Sequence, residues 1–313
     1  MQYSLIVPIY NDGDLAAEFS KTFEIVFQNF LNTRDISEST ELIFVNDGSS
    51  NNSIDYLTRL TEEFRFVKVI DLSRNFGQHI ALSCGYRYAK GEYVGMLNVD
   101  MQDPPSEIPN LIQFLIEGKF DIVFGLVEKR NTSIINRLTS KTFNIVLNYL
   151  TKSNTPLNVA TIRVMNRKFV NAYNQLHEKS RYLPGLENWL GFKHGFLSIN
   201  HQVRMKGRSS YTFKKRLMMA VESIISFSDY PLLIIVKLGI SIALTGFLLI
   251  VYLLISSLYF MEYQKGYISL ISIIIFLGGT QISVIGFASL YIGRILREAQ
   301  GRPLYVVNEK YNF

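Results

Sequence analysis

The chain has 313 residues, of which 48% are apolar, and carries a formal net charge of +6. That length and apolar share allow one sizeable globular domain with enough left over for a membrane module. A single cysteine excludes an intramolecular disulfide, and the moderate positive charge does not by itself separate phosphate binding from the positive-inside bias of a membrane protein.

The first residues, Met1-Gln2-Tyr3-Ser4, run straight into an apolar strand without a basic leader or a small-residue cleavage site, so no export signal is expected. Short apolar runs then alternate with longer segments of helical spacing. Leu5–Val7, Leu42–Val45, Val67–Ile70, Tyr93–Leu97 and Ile122–Phe124 read as strands joined by crossover helices, which is the pattern of an α/β fold with a mostly parallel sheet. Cys84, beside Ala81 and Leu82, reads as a buried helical thiol.

In parallel sheets ligands bind beyond the carboxyl ends of the strands, so the residues that follow each run carry the chemistry. They are Pro8-Ile9-Tyr10-Asn11-Asp12, Asn46-Asp47-Gly48-Ser49-Ser50, Ser73-Arg74-Asn75-Phe76-Gly77-Gln78 and Asn98-Val99-Asp100-Met101-Gln102. Taken singly, each is ordinary turn chemistry. Four polar clusters at four successive strand ends exceed what packing asks for. Asp100 and Gln102 offer a carboxylate and an amide oxygen, a donor pair suited to a hard divalent cation that also grips a diphosphate.

Further along, Arg74-Asn75-Phe76-Gly77-Gln78-His79, Gln102-Asp103-Pro104-Pro105, Ser226-Phe227-Ser228 with Pro231-Leu232, and Tyr291-Ile292-Gly293-Arg294 with Gly301-Arg302-Pro303-Leu304-Tyr305 carry a resemblance over nearly the whole chain. The chain resembles the family 2 glycosyltransferases of GT-A nucleotide-sugar fold, and among them the membrane-anchored polyprenyl-phosphate sugar transferases. That resemblance implies donor binding by Pro8, Tyr10, Asp12, Asp47, Asn98 and Ser209, and a Mg2+ or Mn2+ ion held by Asp100 and Gln102. It further implies that Arg204 stabilises the leaving diphosphate, and that Arg130, Arg137 and Ser140 hold the acceptor phosphate. Asp100 and Arg204 are the catalytic assignments.

The chain departs from the family pattern where Asn46, Asn98 and Asn158 replace acids, and where Ser210 replaces a lysine in Ser209-Ser210-Tyr211. An amide brings no charge to a cation, so weak metal binding is expected. Asn158 suits an acceptor phosphate, which is already ionised and needs no base. His79 reads as a helix-start residue rather than a base. The Gln-x-x-Arg-Trp signature of processive synthases is absent around Trp189, which favours transfer of a single sugar.

The apolar spacing of Leu217, Val221, Ile224 and Ile225 behind Lys214-Lys215-Arg216 reads as an interfacial helix. Leu238–Phe260 and Gly266–Gly293 contain no charge and are long enough to span a bilayer. Cations precede the first run and follow the second, so both termini are expected in the cytosol of a multi-pass protein of the cell membrane. Gly239, Gly246, Gly278, Gly279 and Gly286 would permit close helix packing within the hairpin or in a homo-oligomer.

The expected organisation is a cytosolic GT-A domain over 1–210, an interfacial helix over 211–230, two transmembrane helices over 231–296 and a cytosolic tail over 297–313. The expected activity is inverting transfer from a nucleoside diphosphate sugar to polyprenyl phosphate. Two alternatives are transfer to a hydroxyl of a lipid-linked saccharide, for which Asp103 is the nearest spare carboxylate, and a catalytically silent nucleotide-sugar-binding scaffold.

Overall fold

A computed structural model describes residues 1–127, 156, 158–201, 234–242, 244–245, 248, 251, 255 and 267–313. The chain separates into two compact units, Met1–Lys215 with Pro303–Phe313, and Arg216–Arg302.

The first unit is an eight-stranded sheet flanked by helices. Its elements are β1 (Tyr3–Ile9), a single 3-10 turn (Gly13–Leu15), α1 (Ala16–Leu31), β2 (Thr40–Asn46), α2 (Ser53–Glu63), β3 (Val67–Leu72), α3 (Gln78–Tyr88) and β4 (Tyr93–Met96). They continue with α4 (Glu107–Glu117), β5 (Ile122–Val127), β6 (Val159–Asn166), α5 (Arg167–Tyr173), α6 (Leu183–Trp189), β7 (His194–Ile199) and β8 (Val307–Tyr311). The strand order is β7-β5-β6-β4-β1-β2-β3-β8. Pairings β1 with β2, β1 with β4, β2 with β3 and β5 with β7 are parallel, whereas β6 runs against β4 and β5, and β8 runs against β3. All five strands expected from apolar runs form. The interior strands are buried on both faces, which explains why they read as continuous apolar runs rather than alternating ones.

One face of the sheet packs Leu5, Val7, Ile9, Leu42 and Phe44 against the aromatic stripe Phe19, Phe23 and Phe27 of α1 and against Leu57 and Leu60 of α2. The helical spacing of those phenylalanines buries one side of α1 completely. On the other face, α3 lies so close to β1 that a Cβ on Gly85 would sit 2.3 Å from a methyl of Ile6. Cys84 is buried in α3, as expected, and burial pushes its thiol up to about 12.

At the rim that holds the amino ends of β1 and β2, Glu41 is fully buried and accepts hydrogen bonds from Ser4 Oγ (2.6 Å), the Lys90 amide (2.6 Å) and Lys68 Nζ (2.7 Å). Burial works to raise its pKa, but the lysine and the two other donors prevail and hold Glu41 below the usual carboxylate range. This cluster ties β1, β2, β3 and the chain before β4 together at the end opposite the loops of interest.

Three sheet elements, β6, β7 and β8, lie beyond the sequence reading. Strand β6, which supplies Arg163, threads between β4 and β5 in the opposite direction. Residues 303–313, expected as part of a tail, belong to the first unit and place β8 on the sheet edge beside β3. Exposed Glu309 and Lys310 give β8 the polar character of an edge strand, so no apolar run announces it.

In the second unit, residues 234–242 are helical and α7 (Tyr267–Ala299) runs 33 residues. Among the described residues, one stretch, Leu277–Ala299 in α7, is long and apolar enough to cross a membrane. The helix continues beyond Gly293 through Arg294 and Arg297. The expected interfacial helix over 211–230 lies outside the described residues, as does most of the first apolar run.

Candidate active site

The parallel strands β1, β2, β3 and β4 end on one rim, with Ile9, Asn46 and Asp71 level in the register. From β1 the chain proceeds through β2 and β3 to one side and returns to the other side as β4, so the gap between β1 and β4 is the topological switch point, where open α/β sheets hold ligands. Pro8 marks where it opens. The β1–β4 pairing ends at Ile6 with Met96, and Leu97 N still donates to Ile6 O at 3.3 Å. Ile9 O, by contrast, accepts from Asp47 N on the β2 side, so the alternation puts the Pro8 nitrogen on the side where the β4 ladder has ended. An imino acid costs no ladder bond there.

Tyr10 and Asp12, both exposed, follow on one side of the gap, while Asn98, Asp100 and Gln102 follow on the other. Between Tyr10 and Asp12, Asn11 adopts a left-handed φ of 64° and is held on three sides. Its amide donates to Ser49 Oγ (2.9 Å), its side-chain oxygen accepts from the Ser50 amide (2.9 Å) and its carbonyl accepts from Asn51 Nδ2 (3.0 Å).

Asp47 is 3% exposed, and its two oxygens accept the amides of Phe76 (2.7 Å) and Gly77 (2.9 Å). Burial raises its pKa, outweighing the two amide bonds and Arg74. The structure thus gives Asp47 a loop to hold. Gly48 beneath that loop has φ +59°, and a Cβ there would sit 2.2 Å from the Arg74 carbonyl carbon. Only glycine fits. Within the loop Arg74 stacks over the Phe76 ring at 4.1 Å.

Asn46 donates through Nδ2 to Asp71 Oδ1 (2.7 Å) and accepts from Ser49 Oγ (2.5 Å). Asn98 accepts from Gln78 Nε2 at 2.8 Å, which joins the start of α3 to the end of β4. Each amide makes a bond defined by its polarity, and the Asn46 bond to a carboxylate is one that an aspartate could make only when protonated.

Asp100 Oδ1 accepts the Gln102 amide at 3.3 Å across Met101, whose φ is 53°. Among the described residues no group of three or more His, Cys, Asp and Glu side chains gathers to hold a metal. A lone carboxylate with an amide oxygen fits a cation such as Mg2+, which is commonly held by one or two carboxylates together with substrate phosphates and water. The donor set suits an ion shared with a diphosphate.

Asp103 is 6% exposed and fully engaged: Oδ2 accepts the amides of Thr161 (3.1 Å) and Ile162 (3.2 Å), and Oδ1 meets His201 Nδ1 at 2.9 Å. It fastens β6 and the end of β7 to the loop after β4. Arg163 of β6 is 6% exposed and paired with buried Glu187 of α6. His79 stands at the second position of α3, edge-on to Tyr182, and burial with the nearby Arg163 charge lowers its pKa to about 4. Asn158 is exposed at the start of β6, its carbonyl accepting from Val127 N at 3.0 Å. Arg204, Ser209, Arg130, Arg137 and Ser140 lie outside the described residues. Asp71 is a part of the rim that the sequence reading left out, whereas Asn11 and Ser49 were named within the polar turns without a role of their own.

The family model described as Glycosyl transferase family 2 matches residues 4–173. A glycosyltransferase of Bacillus subtilis, YkcC, is 34% identical over 99% of this chain and 94% of its own length. The bactoprenol glucosyl transferase of Shigella phage SfV is 33% identical over 99% of each chain. The undecaprenyl-phosphate 4-deoxy-4-formamido-L-arabinose transferase of Pectobacterium carotovorum is 30% identical over 98% of this chain and 92% of its own. With its α/β, mostly parallel, GT-A-like sheet, the chain belongs to the family 2 glycosyltransferases.

Proposed function

We propose that this enzyme moves a sugar from a nucleoside diphosphate to a polyprenyl phosphate at the cytosolic face of the cell membrane, with inversion at the anomeric carbon. The observation that carries the reading is the position of Asp100 and Gln102 at the β1–β4 switch point, in a chain whose named relatives at bactoprenol and undecaprenyl phosphate match it almost end to end.

In this reading Pro8, Tyr10 and Asp12 line the nucleoside, Asp47 fixes the loop over it, and Asn98 and Ser209 complete the donor side. Asp100 and Gln102 hold Mg2+ or Mn2+, which when bound neutralises charge on the diphosphate. Arg204 adds a fixed positive charge where the departing diphosphate gains negative charge. Arg130, Arg137 and Ser140 orient the acceptor phosphate, whose ionised oxygen attacks without help from a base. The engagement of Asp103 with two amides and His201 weighs against a hydroxyl acceptor, which would need that carboxylate free. Two transmembrane helices over 231–296, with both termini cytosolic, and an interfacial helix over 211–230 complete this reading.

Membranes that express the chain are incubated with polyprenyl phosphate and a panel of radiolabelled nucleotide sugars, and lipid is extracted. One donor should label a lipid that mild acid cleaves, and Asp100→Ala should abolish labelling at equal expression. An acid-stable product would refute the phosphate acceptor. A near-normal rate for Asp100→Ala would refute the site.

A further inference from the structure

The rim of the donor side has a contributor from the far end of the sequence. Asn308 lies in β8, nine residues after the end of the apolar helix α7, at the position where β8 crosses the end of β3. Its Nδ2 donates to Asp71 Oδ2 at 2.8 Å, and the other oxygen of the same carboxylate accepts Asn46 Nδ2 at 2.7 Å. Asn46 Oδ1 in turn accepts Ser49 Oγ, and Ser49 Oγ accepts the amide of Asn11. The chain of bonds therefore runs Asn308, Asp71, Asn46, Ser49, Asn11, and ends in the turn that carries Tyr10 and Asp12. A second tie reinforces it, because Ser73 N donates to Val306 O at 3.0 Å at the start of the loop that Asp47 holds.

The polarity of this chain is fixed at every link. Asp71 can only accept while ionised, so both neighbours must donate, and both are amides. Asn46 turns its oxygen to Ser49, which sets the Ser49 hydroxyl as donor and leaves the Ser49 lone pairs for Asn11. Asn46, which stands where the family commonly has an acid, donates to the carboxylate of the neighbouring strand and accepts the Ser49 hydroxyl through its own oxygen.

We infer that Asn308 is a positioning residue for the donor site, acting through Asp71, Asn46 and Ser49 on the Asn11 turn, so that the segment following the apolar helix completes the nucleotide side of the rim. The inference rests on the donor-site reading above, and its test separates the two. The turn is held in a left-handed conformation by bonds rather than by bulk, so its order depends on their direction.

In Asn308→Asp two carboxylates face each other and the first link is lost. In the double variant Asn308→Asp with Asp71→Asn, the new asparagine donates to the new aspartate and still accepts from Asn46, which restores the chain with one charge in total. Purified full-length enzyme in detergent is compared by amide hydrogen exchange at Asn11 and Ser50, and by steady-state kinetics with whichever of UDP-glucose, UDP-galactose and GDP-mannose the wild type turns over. Asn308→Asp should speed exchange at both amides and raise the donor KM about five-fold, with kcat within about two-fold, since only hydrogen bonds remote from the reacting atoms change. The double variant should return both readings to wild type. Unchanged exchange and KM in Asn308→Asp, or a double variant as impaired as the single one, would overturn the inference. If Asn308→Asp does not fold, a folded double variant with wild-type exchange supports it and an unfolded one overturns it. Exchange needs no donor, so absence of turnover with every nucleotide sugar would count against the donor-site reading alone.

Discussion

Glu187→Ala should cost the first unit more than any loss at the site rim. Arg163 is 6% exposed, Glu187 is 1% exposed, and their ion pair links β6 to α6. Arg163 also donates through Nε to Thr161 O at 3.1 Å and lies 5.2 Å from the centre of the Phe124 ring, so truncating its partner leaves the guanidinium with one backbone acceptor and an aromatic face. Removing one member of such a buried pair costs about 3–5 kcal/mol, because the remaining charge stays desolvated. For a unit of this size that is a fall in the thermal midpoint of about 10 °C. Far-UV circular dichroism follows the loss of the helices and the sheet. Replacing both partners, Arg163→Met with Glu187→Leu, should recover most of the loss, since apolar pairs of similar volume commonly equal buried ion pairs. A midpoint for Glu187→Ala within about 2 °C of wild type would refute the reasoning, as this shift corresponds to at most about 1 kcal/mol.

Gly48→Ala should destabilise by about 2–3 kcal/mol and displace the Arg74–Gly77 loop, because the residue is held at φ +59° against the Arg74 backbone; thermal melts and transfer rate check it. His79 is neutral in the fold, with its pKa lowered to about 4, so its stabilising share is present above pH 6.5 and is lost as pH falls from 6.5 towards 4. Melting followed against pH should show that fall, up to about 3 kcal/mol, and His79→Gln should flatten it. Chelation by EDTA should stop sugar transfer and added Mg2+ or Mn2+ should restore it, while titration calorimetry without nucleotide should find affinity weaker than micromolar; tight binding of the bare ion would contradict a cation shared with the substrate.

Five strands, the crossover helices between them and the rim on which the polar turns gather follow from local pattern alone. Apolar runs buried on both faces leave no alternation to misread, and a parallel sheet puts whatever follows each strand on the same side. The family resemblance, likewise, rests on contiguous phrases such as Arg74–His79 and Gln102–Pro105. Strands β6, β7 and β8 did not stand out in this way: β6 and β8 run against their neighbours, and all three take their places from partners distant in sequence. The same holds for the roles of single polar residues. Composition cannot tell that Asp103 is consumed by Thr161, Ile162 and His201, that Arg163 is buried against Glu187, or that Asp71 receives Asn308 across 237 positions. A side chain's charge and hydrogen-bonding capacity are properties of its residue type, but whether they face a substrate or another part of the protein depends on which strands the fold sets side by side, and only the tertiary structure decides that.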